Sequence, residues 1–134
     1  MGIWLATVLG IGLLLSPGTI YRADLIRVID GDTAWMIVHD GIIDTEARIR
    51  LRNIDAPELH AQCASEYREA VAARYELQRL LSAGSIMIRD VGVDKYRGRI
   101  DAIVATRDVP DVSAAMLRGG YARPYWGGRR KPWC

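Results

Sequence analysis

Three short clusters combine carboxylates or arginines with turn-forming residues: Asp30-Gly31-Asp32-Thr33, Arg50 followed by Asp55-Ala56-Pro57-Glu58, and Asp94-Lys95-Tyr96-Arg97-Gly98-Arg99. Together they hold the parts that phosphodiester hydrolysis requires. These are oxygen ligands for a hard cation that polarises a phosphoryl oxygen, guanidinium groups for the developing phosphorane, and a carboxylate to orient or deprotonate water. Asp32 and Asp55 can supply ligands for Ca²⁺, which prefers carboxylates, carbonyls and water. Arg50 and Arg99 can clamp phosphate oxygens, and Glu58 is the acid left to act on water. Each residue also has a plain structural use. Asp30 and Asp32 suit an ordinary turn, Arg50 can share a solvated strand face with Arg48 and Arg52, Glu58 can begin a short helical stretch after Pro57, and Tyr96 can simply pack.

The elements that position these clusters follow from periodicity. Leu25 to Ile29 and Thr33 to Val38 are β-rich runs joined at Asp30-Gly31-Asp32, a hairpin turn in which Asp-Gly tolerates positive φ. After a second turn at Asp40-Gly41, residues Ala47 to Ile54 form a third strand, with Ile49 and Leu51 on one face and Arg48, Arg50 and Arg52 on the other. Ser65 to Ala83 lacks Gly and Pro, and its Tyr67, Val71, Leu77 and Leu81 recur at helical spacing before Gly84 as a C-cap. Ser85 to Arg89 and Ile100 to Ala105 are two more strands, and a shorter helix spans Val112 to about Leu117. Five short strands with a helix between the third and fourth predict an α+β, mainly β fold: a five-stranded OB-like Greek-key barrel with two or three helices.

With 134 residues, half hydrophobic and a quarter charged, the chain fits one folded domain and excludes a disordered or repeat protein. The net charge of +2 is too small to identify a polyanion binder, but its placement is uneven. After Asp111 come Arg118, Arg123, Arg129, Arg130 and Lys131 with no acid, a basic end suited to phosphates. Residues 3–15 are an almost purely apolar run ending at Ser16-Pro17-Gly18. Residues 1–20 therefore read as a leader, either an export signal or a membrane anchor, with a buried N-terminal helix as the last alternative, although no Lys or Arg precedes the run. The domain proper is 21–134, and export to the periplasm or medium, or anchoring through 3–15, is expected. Cys63 and Cys134 are too few for a zinc cage; in an exported chain they pair as one disulfide.

Val28-Ile29-Asp30-Gly31-Asp32-Thr33, then Arg50-Leu51 and Ile54-Asp55-Ala56-Pro57-Glu58, then Asp94-Lys95-Tyr96 with Gly98-Arg99, resemble the staphylococcal (micrococcal) nuclease family in order and spacing. The segment Leu117 to Tyr125 resembles that family's chain after its last strand, so the likeness spans about Asp24 to Tyr125. It implies that Asp32, Asp55 and the carbonyl of Ala56 bind Ca²⁺, that Arg50 and Arg99 contact the scissile phosphate, and that Glu58 acts on water. The activity implied is low-specificity endonuclease cleavage of DNA and RNA leaving 3′-phosphate ends, by a monomer. Lys95, Tyr96, Arg97, Tyr125 and Trp126 are the expected substrate contacts, the aromatics by stacking on bases. Two departures stand out: Arg97 lengthens the Tyr-Gly-Arg segment by one residue, and the family's long final helix is replaced by the basic stretch to Cys134. The alternative is a non-catalytic OB-fold nucleic-acid-binding module.

Overall fold

A computed structural model of the protein describes residues 4–8, 11–94 and 98–134. Strands β1 (Trp4–Val8) and β2 (Ile11–Leu15) pair antiparallel, and among the described residues no helix is long and apolar enough to cross a membrane. Leu15 is fully buried in the core and the Ser16 amide donates to the Tyr21 hydroxyl at 2.6 Å, which ties the end of this run to the start of the next strand. Next come β3 (Tyr21–Asp30), β4 (Thr33–His39), β5 (Asp44–Leu51), the two-residue β6 (Ile54–Asp55) and α1 (Ala64–Leu81). The chain then forms β7 (Ile86–Val93), β8 (Arg99–Thr106), α2 (Val112–Arg118) and a short β9 (Arg123–Pro124).

Strands β3, β4, β5, β8 and β7 close into a barrel in that order, with α1 between the third and fourth strands, as the sequence pattern predicts. Neighbours are antiparallel except β5 and β8, whose parallel pairing uses the long crossover through α1 and β7. Alternation fills the interior: Ala34, Met36 and Val38 of β4 and Ala47, Ile49 and Leu51 of β5 are buried. Their neighbours Trp35, Ile37, Arg48 and Arg50 are less buried and stand on the other face. β3 begins four residues before its expected start because Tyr21 and Ala23 extend the inward set. β7 continues past Arg89 through a register shift at Asp90, whose φ is 51°.

Three local expectations are corrected. The buried stripe of α1 is Glu66, Ala70, Ala73, Leu77, Leu80 and Leu81, while Tyr67 is 54% exposed. The alanines at this face let the helix approach the barrel closely, which a tyrosine would prevent. The helix is capped by Ser82 rather than Gly84. The third strand stops at Leu51, because the chain reverses at Arg52-Asn53 with Asn53 at φ 74°, a conformation Asn tolerates better than most residues.

Candidate active site

The two-residue turn between β3 and β4 sets the first acid. The Asp32 amide donates to Asp30 Oδ1 at 3.0 Å, closing an Asx turn. Gly31 does not have the positive φ expected of it; the turn needs glycine because of what lies against it. A Cβ there would stand 2.6 Å from Ala73 Cβ of α1 and 2.8 Å from Ala56 Cβ. This close approach buries Asp32 and brings it to the Asp55-Ala56-Pro57-Glu58 segment. Asp32 Oδ1 accepts from Thr33 Oγ1 at 2.8 Å, and Oδ2 accepts from the Ala56 amide at 2.9 Å.

Arg50 stands opposite Thr33 on one side and Asp101 of β8 on the other. Its Nη2 lies 3.5 Å from Asp32 Oδ2 and its Nη1 donates to the Leu51 carbonyl at 2.7 Å, so the guanidinium is fixed over the turn. Arg48 and Arg52 do not share a plain solvated face with it. Arg48 lies over the Trp35 ring, 5.9 Å from its centroid, and Arg52 leaves the strand to donate through Nε to the Asp90 carbonyl at 2.7 Å.

Beyond the Asn53 turn, β6 pairs with β9, so Asp55 sits opposite Arg123. Glu58 lies in an irregular stretch rather than a helix, and buried Glu66 of α1 fixes it by accepting the Glu58 amide at 3.2 Å and the Gln62 amide at 2.8 Å. Asp55 is 1% exposed, and Arg123 Nη2 stands 3.4 Å from its Oδ2. A single nitrogen of Arg130, Nη2, lies 2.6 Å from both Asp55 Oδ1 and Glu58 Oε1. Neither Arg123 nor Arg130 is among the site residues expected from sequence. Both arrive with the C-terminal segment, which the Cys63–Cys134 disulfide holds against the loop carrying Glu58 (Cα–Cα 6.1 Å). The basic tail and the cysteine pair are both legible; joining them would have pointed to this contact.

Arg99 opens β8, and its Nη2 lies 3.0 Å from Asp94 Oδ2. Asp101, two residues on, is pushed up to about pKa 7, first by burial and then by Asp94, against the opposing pull of Arg52 and Arg99. Asp30 is pushed up to about 8, again by burial first and by Asp32 second. Each acidic pair thus tends to retain a proton near neutrality. Lys95, Tyr96 and Arg97 lie outside the described residues. Asp32, Arg50, Glu58, Arg99, Tyr125 and Trp126 all line one cleft of about 540 Å³, and Asp55 lies behind Arg130 at its wall. Tyr125 is oriented by its hydroxyl donating to the Gly128 carbonyl at 2.6 Å, while Trp126 is 80% exposed.

The donor set suits a hard cation, since every acid here offers oxygen alone. Asp55 Oδ1 is buried with Arg130 Nη2 2.6 Å from it, so the acid is already held by a cation at the place where an ion would bind.

Micrococcal nuclease of Shigella flexneri is 28% identical to this chain over 112 residues, which cover 78% of this chain and 59% of that protein. This chain therefore spans less than two thirds of that relative's length. The family model described as Staphylococcal nuclease homologue matches residues 48–131, from Arg48 of β5 to Lys131 near the end of the C-terminal segment. Having that match over more than half its length, the chain belongs to the staphylococcal nuclease homologue family.

Proposed function

We propose that the protein is a Ca²⁺-dependent endonuclease of low sequence specificity, hydrolysing phosphodiester bonds of DNA and RNA to leave 3′-phosphate ends. The observation that carries this reading is the convergence of Asp32, Arg50, Glu58 and Arg99 on one cleft with Asp55 at its wall. A module that only binds a polyanion gains nothing from three acids facing it. The carboxylates of Asp32 and Asp55 and the carbonyl of Ala56 would hold the ion, which when bound polarises a phosphoryl oxygen. Arg50, fixed by Asp32 and Leu51, and Arg99, fixed by Asp94, are already held for charge-assisted contacts to phosphate oxygens. Glu58 orients a water and accepts its proton as the water oxygen bonds to phosphorus and the P–O5′ bond breaks, the departing 5′ oxygen taking a proton from solvent to become a hydroxyl.

Tyr125 and Trp126, joined by Tyr96, supply stacking surfaces indifferent to base identity, and Lys95 and Arg97 supply charge along the backbone. The same reading takes residues 1–20 as a leader that sends the chain out of the cytoplasm or holds it at a membrane through 3–15. The Cys63–Cys134 bond supports an oxidising compartment, and the burial of Leu15 favours retention of the segment over its removal. The domain from residue 21 acts as a monomer. Glu58→Gln and Arg50→Ala test the assignment by single-turnover cleavage, with circular dichroism to check the fold. Each is expected to lose roughly 10²–10³ in rate. Near-full rate in either variant contradicts the site assignment, and binding without cleavage by the unaltered protein would reassign it as a binding module.

A further inference from the structure

Arg130 occupies a singular position. Its Nη2 stands 2.6 Å from one oxygen of Asp55 and one of Glu58, carboxylates that are otherwise separated by two residues of loop. These are short charge-assisted contacts, and they put the guanidinium in the space beside Asp55 that an ion held by Asp55 would need. The contact places the guanidinium charge directly against Asp55 Oδ1. It neutralises the buried acid.

The segment that brings Arg130 there is restrained at both ends. At its start, Arg123 lies over the Trp133 ring at 3.9 Å and donates to the Pro132 and Lys131 carbonyls. Gly127 and Gly128, at φ 102° and 80°, turn the chain back, and Cys134 is bonded to Cys63. The side chain of Arg130 itself is 42% exposed, so it can swing into solvent while the strap stays in place.

We propose that Arg130 is a tethered, displaceable cation: it holds Asp55 and Glu58 in position when no divalent ion is present, and an entering ion expels it. This rests on the cation site assigned above. The device preorganises the acids and lowers the apparent affinity for the ion, because part of the population is occupied by its own arginine.

Calorimetric titration of Ca²⁺ into the full chain tests it, comparing the unaltered protein with Arg130→Gln and Arg130→Lys. Arg130→Gln is expected to bind Ca²⁺ about tenfold more tightly, the factor for a site nine-tenths occupied by its own side chain. Arg130→Lys should fall between the two, and it carries the test should Arg130→Gln fail to fold. In EDTA the Arg130→Gln protein should melt lower than the unaltered one, and saturating Ca²⁺ should close the gap. Equal or weaker Ca²⁺ binding by both variants overturns the proposal while leaving the cation site intact. No Ca²⁺ binding by any of the three proteins overturns the cation site as well.

A second inference rests on a separate observation, the register of the barrel strands. Arg27 of β3 stands opposite Trp35 of β4, Trp35 opposite Arg48 of β5, and Arg48 opposite Arg99 of β8. The next row, Thr33, Arg50 and Asp101, lines the cleft. At ~4.8 Å between strands the row of four extends ~14 Å over the barrel's outer face. Three guanidinium groups and an indole stand in one line, with Arg48 over one side of the Trp35 ring at 5.9 Å and Arg99 paired to Asp94, so a base stacking on Trp35 would meet arginine charge on both sides of the row.

The geometry points to this row as a contact strip for a single nucleic-acid strand beyond the cleft, with Arg99 at its cleft end and a base stacked on Trp35. The test is fluorescence anisotropy with 4-mer and 16-mer oligothymidylates in a Glu58→Gln background in EDTA, where cleavage is suppressed. Adding Trp35→Ala is expected to weaken 16-mer binding roughly fivefold or more while leaving the 4-mer unchanged. Arg27→Ala should lower the salt dependence of 16-mer binding by about 0.7 in log–log slope. Unchanged 16-mer affinity in both variants overturns the strip. Failure of either oligonucleotide to bind the Glu58→Gln protein counts against the nucleic-acid reading itself.

Discussion

Gly31→Ala should disturb the site more than any surface change of one methyl group, and the structure gives the scale. The added Cβ would meet Ala73 Cβ at 2.6 Å and Ala56 Cβ at 2.8 Å, against ordinary contacts of 3.4–4 Å, so the turn must retreat by a large part of an ångström. Neither obstacle is a flexible chain end, because both are Cβ atoms rigidly attached to backbone. Overpacking of this kind costs ~1–3 kcal/mol. The same retreat stretches the 2.9 Å bond from the Ala56 amide to Asp32 Oδ2, and loss of a hydrogen bond to a charged acceptor adds ~1.5–3 kcal/mol. Urea unfolding in EDTA, followed by tryptophan fluorescence, should therefore show a loss of ~3–5 kcal/mol. Ala73→Gly removes the closer obstacle and alone costs ~1 kcal/mol in a helix. The double variant should be more stable than the sum of the single losses by at least ~1 kcal/mol. A Gly31→Ala loss under ~0.5 kcal/mol, or a strictly additive pair, would refute the close approach of turn and helix.

Two further outcomes are expected. The Cys63–Cys134 bond spans 71 residues, and closing a loop of that length restrains the unfolded chain by about 4 kcal/mol; Cys63→Ser with Cys134→Ser should lower Tm substantially, and an unchanged Tm would show that the bond contributes nothing. In the metal-free protein, Asp30 keeps its proton up to about pH 8 while the unfolded chain releases it near 3.8. Folding stability from this group therefore declines as pH rises across that window, and Asp30→Asn should remove the decline. The stability gained by Asp30→Asn should grow from about pH 4 to about pH 8, read from urea midpoints. A gain that stays flat or shrinks across that range would show that Asp30 is not held neutral.

The barrel is legible in the sequence because its inward positions are aliphatic and strictly alternate, as in Ala34-Met36-Val38 and Ala47-Ile49-Leu51. The face of α1 is less so: alanines carry a weak apolar signal, and Tyr67 draws the eye to the wrong stripe. The reason for Gly31 also escapes local reasoning, since Asp-Gly suggests a positive φ whereas the requirement comes from Ala73 and Ala56, distant in the chain. Asp32, Arg50, Asp55, Glu58 and Arg99 stand out by type and order, but their partners do not. Arg123, Arg130 and Glu66 enter through the β6–β9 pair, the disulfide and a helix face, which are long-range contacts that no window of sequence contains.

Nuclease activity is tested most directly by incubating plasmid DNA and a single-stranded RNA with the purified chain in Ca²⁺ and in excess EDTA, with fragment length read on gels. Both polymers should be cut in Ca²⁺ to fragments ending in 3′-phosphate, with cleavage abolished by EDTA and restored by added Ca²⁺. Intact polymers under every divalent ion, or cutting that persists undiminished in EDTA, would contradict the Ca²⁺-dependent reaction proposed for this cleft.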